Sequence, residues 1–127
     1  SNYDLEGDKI LGNKLYSKLS NLSKSKKVNQ GTKNLDLLIN VTKTKSATSK
    51  DSSGKILEYK INLNTKIKIT DFITGKKLLD QNFDSSSNYK TQDQYSDTIK
   101  LENQTIENLL NKTLQEILID LSRSISS

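Results

Sequence analysis

The chain has 127 residues, of which 31% are hydrophobic, and it carries a formal net charge of +5. It contains no cysteine and no histidine, which excludes disulfides, thiol chemistry and the commonest metal ligand and general base. The length suits a single domain, 1–127, and the small supply of apolar residues favours a two-layer architecture.

The positive charge comes almost entirely from lysine, because Arg123 is the only arginine. Arginine is favoured where a protein recognises phosphates and bases through paired hydrogen bonds. We therefore interpret most of these lysines as solvated surface charge rather than as a site for an anionic partner. A basic nucleic-acid-binding module is an alternative function, but our main interpretation includes no nucleic-acid partner.

The first predicted elements are a short strand and a helix. Ser1-Asn2 is typical of what a cleaved expression tag leaves behind, and Tyr3-Asp4-Leu5 is typical of the end of a strand. Gly7-Asp8 predicts a stop followed by a helix N-cap. The residues that follow form one helical stripe, Leu11, Leu15, Leu19 and Leu22, so we expect a helix that ends near Ser23.

The next predicted element is a strand over residues 35–42. Its apolar residues alternate along one face, at Leu35, Leu37, Ile39 and Val41. Residues 43–55 are mainly Ser, Thr and Lys. We predict that they form a mobile hairpin tip.

The clearest pattern in the chain lies between Leu57 and Ile69, where odd positions are apolar or Thr and even positions are charged or amide. This alternation predicts one long amphipathic strand with a buried face and a wet face. Thr74-Gly75 then predicts a tight turn, because glycine supplies the positive φ that such a connection needs. A third strand follows, with Leu79, Gln81 and Phe83 on one face.

From about Ser96 the apolar period becomes helical. The apolar residues fill about half of a helical wheel, at Ile106, Leu109, Leu110, Leu114, Ile117, Leu118, Leu121 and Ile125. The order of elements predicts an α+β two-layer sandwich. In it, two helices pack on one face of a three- to four-stranded, mainly antiparallel sheet.

No group of residues indicates catalysis. Asp71, Asp80 and Asp84 gather near the predicted turn, but aspartate is common at turns because its carboxylate accepts nearby backbone N–H groups. We therefore expect no catalytic residue, no metal site and no cofactor.

Two clusters of lysine remain. One follows the first helix, with Lys24, Lys26, Lys27 and Lys33, and the other lies in the predicted tip, with Lys43, Lys45, Lys50 and Lys55. Loop lysines are usually solvated charge, and the functional alternative is a site for a phosphorylated ligand, a membrane surface or nucleic acid.

A longer combination of motifs points to a family. It consists of Glu58-Tyr59-Lys60-Ile61-Asn62-Leu63, then Asp71-Phe72-Ile73-Thr74-Gly75-Lys76-Lys77-Leu78-Leu79, then Tyr89, Tyr95 and a long final helix. This order resembles the LPS-assembly lipoprotein family, LptE. The resemblance covers about residues 35–125 and extends weakly to residues 4–8.

The resemblance implies a non-enzymatic, lipid-anchored domain on the periplasmic side of the outer membrane. The lipidated cysteine that anchors members of this family would lie ahead of the residues seen here. It implies the β-barrel partner LptD, which such a protein plugs and stabilises, and contact with lipopolysaccharide during export. Its fold, two helices against a four-stranded sheet, agrees with the predicted elements. Another periplasmic lipoprotein, such as a cell-wall synthase activator, is the alternative within this class.

Two sets of residues are candidates for these contacts. Loop position and charge, not the resemblance, make four lysines the candidates for lipopolysaccharide contact: Lys43, Lys45, Lys50 and Lys55. The even face of the long strand is the candidate barrel-facing surface: Lys60, Asn62, Asn64, Lys66 and Lys68. A polar sheet face left open by the helices suits a water-filled barrel.

Overall fold

A computed structural model describes residues 2–25 and 35–126 of the chain. Its elements are β1 Asn2–Gly7, α1 Lys9–Ser25, β2 Leu35–Lys50, β3 Ile56–Asp71, β4 Lys77–Lys90 and α2 Tyr95–Ser126. The predicted order of helices and strands is confirmed, including the short leading strand. The predicted α+β two-layer sandwich is also confirmed.

The four strands form one sheet in the order β1-β2-β3-β4. β1 lies parallel to β2, with Leu5 opposite Ile39, and the other pairs are antiparallel. Parallel neighbours need a crossover connection, and α1 belongs to it. The sheet is therefore mixed and mainly antiparallel, with the long amphipathic strand β3 in an interior position.

Both helices pack on the same face of the sheet, α1 against β1 and β2, and α2 against β4 and β3. From Ile61 to Ile69 the odd residues of β3 point into this core, with exposures between 0% and 2%: Ile61, Leu63, Thr65, Ile67 and Ile69. Nearer the hairpin, Tyr59 is partly buried and Leu57 is 39% exposed. From α2 the core receives Ile106, Leu109, Leu110, Leu114 and Ile117, with Leu118 and Leu121 partly buried beside them. The predicted stripes are confirmed, and the side chains of Leu22 and Ile125 lie outside the described residues.

The predicted stop and N-cap between the first strand and helix are also confirmed. Gly7 has a φ of 70° and ends β1. The N–H of Asp8 then donates to the carbonyl of Val41 at 2.7 Å. The Asp8 carboxylate accepts the N–H of Leu11 at 3.0 Å, so it satisfies one of the free donors of the first turn.

The predicted hairpin tip is wrong over residues 43–50, because these residues belong to β2 and pair with β3. Thr44 lies opposite Asn62, and Ser46 lies opposite Lys60. Residues 43–50 are exposed on both faces, so no apolar alternation marked them as a strand. The connection itself is only 51–55, where the Asp51 carboxylate accepts the N–H groups of Ser53 and Lys55 at 2.9 Å.

Other boundaries differ less. β4 continues through the polar residues to Lys90, and it buries Ser85 and Tyr89 in addition to Leu79 and Phe83, while Gln81 is exposed. The first helix ends at Ser25 rather than near Ser23. Of the lysine cluster that follows it, Lys26, Lys27, Lys33 and the side chain of Lys24 lie outside the described residues.

Candidate binding surfaces

The sheet face opposite the helices, here called the open face, is not covered by any helix that the structure describes. The even residues of β3 lie on it: Lys60, Lys66 and Lys68 are exposed, and Asn62 and Asn64 are partly exposed. Because β3 is an interior strand, these five residues form the central row of the open face. The structure thus brings the predicted barrel-facing set together on one surface.

Polar side chains flank this central row. Asn64 donates to the Asp84 carboxylate at 3.0 Å, and Asn62 lies within 3.4 Å of the same oxygen. Lys66 lies opposite Asn40 on one side and Asn82 on the other. A surface of lysines, amides and hydroxyls over a sheet can bind a broad polar partner through hydrogen bonds.

The four hairpin lysines do not form one site. Odd residues of β2 face the helices, and Lys45 turns towards α2, where its ammonium lies 2.6 Å from Glu102. The same ammonium lies 4.3 Å from the centre of the Tyr59 ring. Lys45 is therefore paired with other side chains of the domain and is a weak candidate for ligand contact.

Glu102 also accepts a hydrogen bond from the Tyr89 hydroxyl, so one carboxylate oxygen joins β2, β4 and α2. The hydrogen bond to Glu102 holds the pKa of Lys45 well above its usual range. Burial, together with the hydrogen bond to Glu102, raises the pKa of Tyr89 to about 12. Burial opposes ionisation of Glu102, but the bonds from Lys45 and Tyr89 outweigh it and lower the pKa of that carboxyl.

Lys43 lies beside a shallow hollow between the two helices. The hollow has two adjoining parts of about 460 and 230 Å³ that share Ile10 and Lys14. Lys43 lines the smaller part with Leu11 and Ile106. This surface mixes apolar, basic and acidic groups and is wide and open.

Lys50 and Lys55 lie at the far end of the hairpin, where both are exposed. Between them, hydrogen bonds from Ser53 and from the Lys55 backbone lower the pKa of Asp51. Asp51 stays ionised at neutral pH, so the end of the hairpin carries both signs of charge. Both lysines are at the tip of the hairpin, where a large ligand can reach them.

Each of the three aspartates near the second turn bonds to a nearby polar group. Asp71 accepts the N–H of Ile73, Asp80 is bound to Lys77, and Asp84 accepts from Asn64. Among the described residues, no group of three or more His, Cys, Asp or Glu is arranged to hold a metal ion. None of the helices in the described part combines the length and apolarity needed to cross a bilayer.

Comparison with known proteins found likeness in structure only. No protein-family model and no curated sequence matches the chain. Rare lipoprotein B from Shewanella oneidensis superimposes with a TM-score of 0.70 over 99% of this chain and 97% of its own, at 12% identity. A candidate lipoprotein from Caulobacter crescentus gives 0.66 over 98% and 90%, at 15% identity.

An uncharacterized lipoprotein B from Nitrosomonas europaea is also similar, with a TM-score of 0.58 over 93% of this chain and 79% of its own, at 16% identity. Because these identities are low, the superpositions establish a shared fold alone. The chain therefore has the fold of these bacterial lipoproteins over nearly its whole length.

Sequence reasoning missed the network of Lys45, Tyr89 and Glu102. Tyr89 shares the phase of Phe83 along β4, which could have placed it in the core. Glu102 stands four residues before Ile106, on the buried side of α2. No short motif joins these three positions, because they come together only when three elements pack.

Proposed function

We propose that the chain is a non-enzymatic component of the outer-membrane lipopolysaccharide export machinery. It plugs and stabilises the β-barrel partner LptD and contacts lipopolysaccharide. The observation that carries this proposal is the superposition on rare lipoprotein B over nearly the full length of both chains. Rare lipoprotein B proteins are the LptE family, which the sequence motifs resemble independently.

The open face supports a role inside a barrel. Its exposed lysines, amides and hydroxyls stay hydrated, which suits the polar lumen of a large outer-membrane barrel. The helices bury the apolar side of the sheet within the domain itself. The domain can therefore enter a water-filled lumen as a preformed body.

The hairpin supports contact with lipopolysaccharide. β2 extends beyond Val41, the last residue that pairs with β1, and brings Lys50 to the exposed tip of the hairpin. Exposed ammonium groups attract phosphates through charge, without the fixed geometry of arginine. The accessible lysines at the end of the hairpin, Lys50 and Lys55, are therefore the contacts we propose first.

The proposed location is the periplasmic side of the outer membrane, with a lipid anchor attached ahead of the described residues. The lipoprotein fold supports an envelope location.

Co-purification with LptD tests the central claim. The tagged chain, joined to a lipoprotein leader, is expressed with LptD of the same organism, and the detergent extract is analysed for a stable complex. We expect a 1:1 complex. Recovery of the chain without LptD would overturn the proposal, and recovery with a cell-wall synthase would favour the alternative.

Charge reversal tests which surface meets the barrel. The triple variant Lys60→Glu, Lys66→Glu, Lys68→Glu is expected to reduce recovery of LptD while leaving the circular dichroism spectrum unchanged. The matched control is Lys9→Glu, Lys100→Glu, Lys112→Glu, which makes the same change of charge at exposed helix positions. Equal recovery with both variants would exclude the open face.

Lipopolysaccharide binding tests the hairpin lysines separately. Binding to the wild-type domain should weaken as salt rises, because screening reduces attraction between exposed charges. The pair Lys50→Glu, Lys55→Glu should weaken binding more than Lys9→Glu, Lys112→Glu. Lys45 is left unchanged because its bond to Glu102 is part of the fold. Equal affinity of the two variants would remove Lys50 and Lys55 from the site.

A further inference from the structure

The turn between β3 and β4 exposes two apolar side chains. Phe72 is 51% exposed and Ile73 is 66% exposed. The polar groups of the turn bond to one another: Asp71 accepts the N–H of Ile73 at 3.0 Å, and the Asp71 N–H donates to the carbonyl of Lys76 at 2.9 Å. The turn is therefore held together by its own hydrogen bonds, and its two apolar side chains point outward.

Other features gather at this end of the sheet. Asn2, where β1 begins, lies opposite Asp36, which lies opposite Thr70, one residue before the end of β3. Any residues joined ahead of Asn2 would leave the domain beside the turn. Lys76 and Lys77 follow the turn directly, and both are exposed, with the Lys77 ammonium 3.1 Å from the Asp80 carboxylate.

The C-terminal part of α2 runs towards the same end. Tyr89 contacts Glu102, and Ser85, earlier on β4, contacts Thr113, later on α2, so the helix runs antiparallel to β4. Its later turns therefore approach the start of β4, and they expose Ile119 by 50%.

These observations favour a lipid surface over a protein partner. A stable protein interface needs on the order of 800 Å² from each partner, far more than two side chains at a turn provide. Two apolar side chains followed by lysines match the interfacial region of a bilayer, where apolar groups enter the acyl boundary and ammonium groups meet phosphates. Such contact is weak alone and needs a second attachment.

We propose that the end of the domain formed by the Phe72–Ile73 turn rests on a phospholipid bilayer, with Phe72 and Ile73 inserted at the interface. β3 runs from this turn back to Ile56, so the tip of the β2–β3 hairpin stands about 45 Å from the turn. Before the domain enters a barrel, the bilayer thus holds it with its hairpin pointing away from the surface. This orientation goes beyond the proposed function, because it requires neither LptD nor lipopolysaccharide.

Fluorescence can test the orientation, because the chain has no tryptophan and no cysteine. Ser1→Cys provides one site for coupling to a maleimide lipid in phosphatidylethanolamine and phosphatidylglycerol vesicles. In this background Phe72→Trp places a single tryptophan in the turn. Coupling should shift its emission to shorter wavelength, and brominated acyl chains should quench it.

Tyr95→Trp in the same coupled background is the matched control. Tyr95 is 77% exposed and begins α2 at the opposite end, where the Thr91 N–H donates to the carbonyl of Leu57 at 3.0 Å. We expect neither a shift nor quenching at this position. An unquenched Phe72→Trp, or equal quenching at both positions, would overturn the proposal.

Flotation of the uncoupled domain with the same vesicles gives a second readout. The pair Phe72→Ser, Ile73→Ser should reduce the fraction that floats. Ile10→Ser is the control, because Ile10 is 74% exposed but lies on α1 away from the turn. A loss of flotation that is equal for the two variants would contradict the inference, whatever the result of LptD co-purification.

Discussion

The ammonium of Lys45 on β2 lies 2.6 Å from Oε1 of Glu102 on α2, and the Tyr89 hydroxyl on β4 donates to the same oxygen. The Glu102 side chain is only 15% exposed, so its charge depends on these two donors. This contact ties the base of the extended hairpin to the helix layer. A rigid hairpin base would let the domain hold the hairpin tip at a fixed position.

Removing the carboxylate should destabilise the domain. Glu102→Gln is expected to lower the free energy of unfolding by about 2 kcal/mol, since hydrogen bonds to charged groups contribute about 1.5–3 kcal/mol. Tyr89→Phe should cost about 1 kcal/mol, because it removes one donor but leaves Lys45. Urea unfolding of the two single variants and the double variant measures the coupling. Strictly additive losses would show that the two residues do not act together.

Stability at high pH should depend on the same tyrosine. The pKa of Tyr89 is raised to about 12, so folding favours its neutral form. The resulting stabilisation is complete below pH 10, the ordinary pKa, and is lost as pH rises towards the folded pKa. Urea unfolding between pH 8 and 11.5 should therefore show the advantage of wild type over Tyr89→Phe shrinking above pH 10. A constant difference would contradict the assigned contact.

The sequence predicted some elements of this fold better than others. The buried residues of β3 and α2 were predictable, because each pattern has the period of its element and one face is covered. Residues 43–50 were not, because a strand exposed on both faces is defined by pairing with β3 and leaves no apolar period. The same holds for the binding surfaces. The row Lys60 to Lys68 was predictable from alternation. The ion pair between Lys45 and Glu102 was not, because it depends on packing between distant segments.

Two buried threonines offer a matched comparison. Thr65 is 0% exposed, and its hydroxyl is one of the buried side-chain oxygens without a hydrogen-bond partner among the described residues. Thr113 is 1% exposed, but its hydroxyl donates to the carbonyl of Leu109 at 2.9 Å. Thr65→Val should raise the free energy of unfolding by about 1 kcal/mol, because it removes an unpaired polar group without changing shape.

Thr113→Val should not stabilise the domain, because it removes a bonded hydroxyl that also lies 3.3 Å from Ser85. Urea unfolding of both variants, followed by circular dichroism, gives the comparison. If Thr65→Val lowers stability as much as Thr113→Val does, the Thr65 hydroxyl has a partner in solution.

Two glycines with nearly equal backbone angles separate backbone strain from crowding. Gly7 has a φ of +70° and Gly75 a φ of +73°, so alanine at either position costs roughly 1 kcal/mol in strain. A Cβ at Gly7 would also lie 2.4 Å from the carbonyl oxygen of Val41, whereas at Gly75 nothing lies within 4 Å. Gly7→Ala must therefore displace the backbone where β1 turns into α1, and it should lower the free energy of unfolding by several kcal/mol more than Gly75→Ala. Urea unfolding of the two variants measures the difference, and equal losses would mean that β1 and β2 separate at Val41 with little cost.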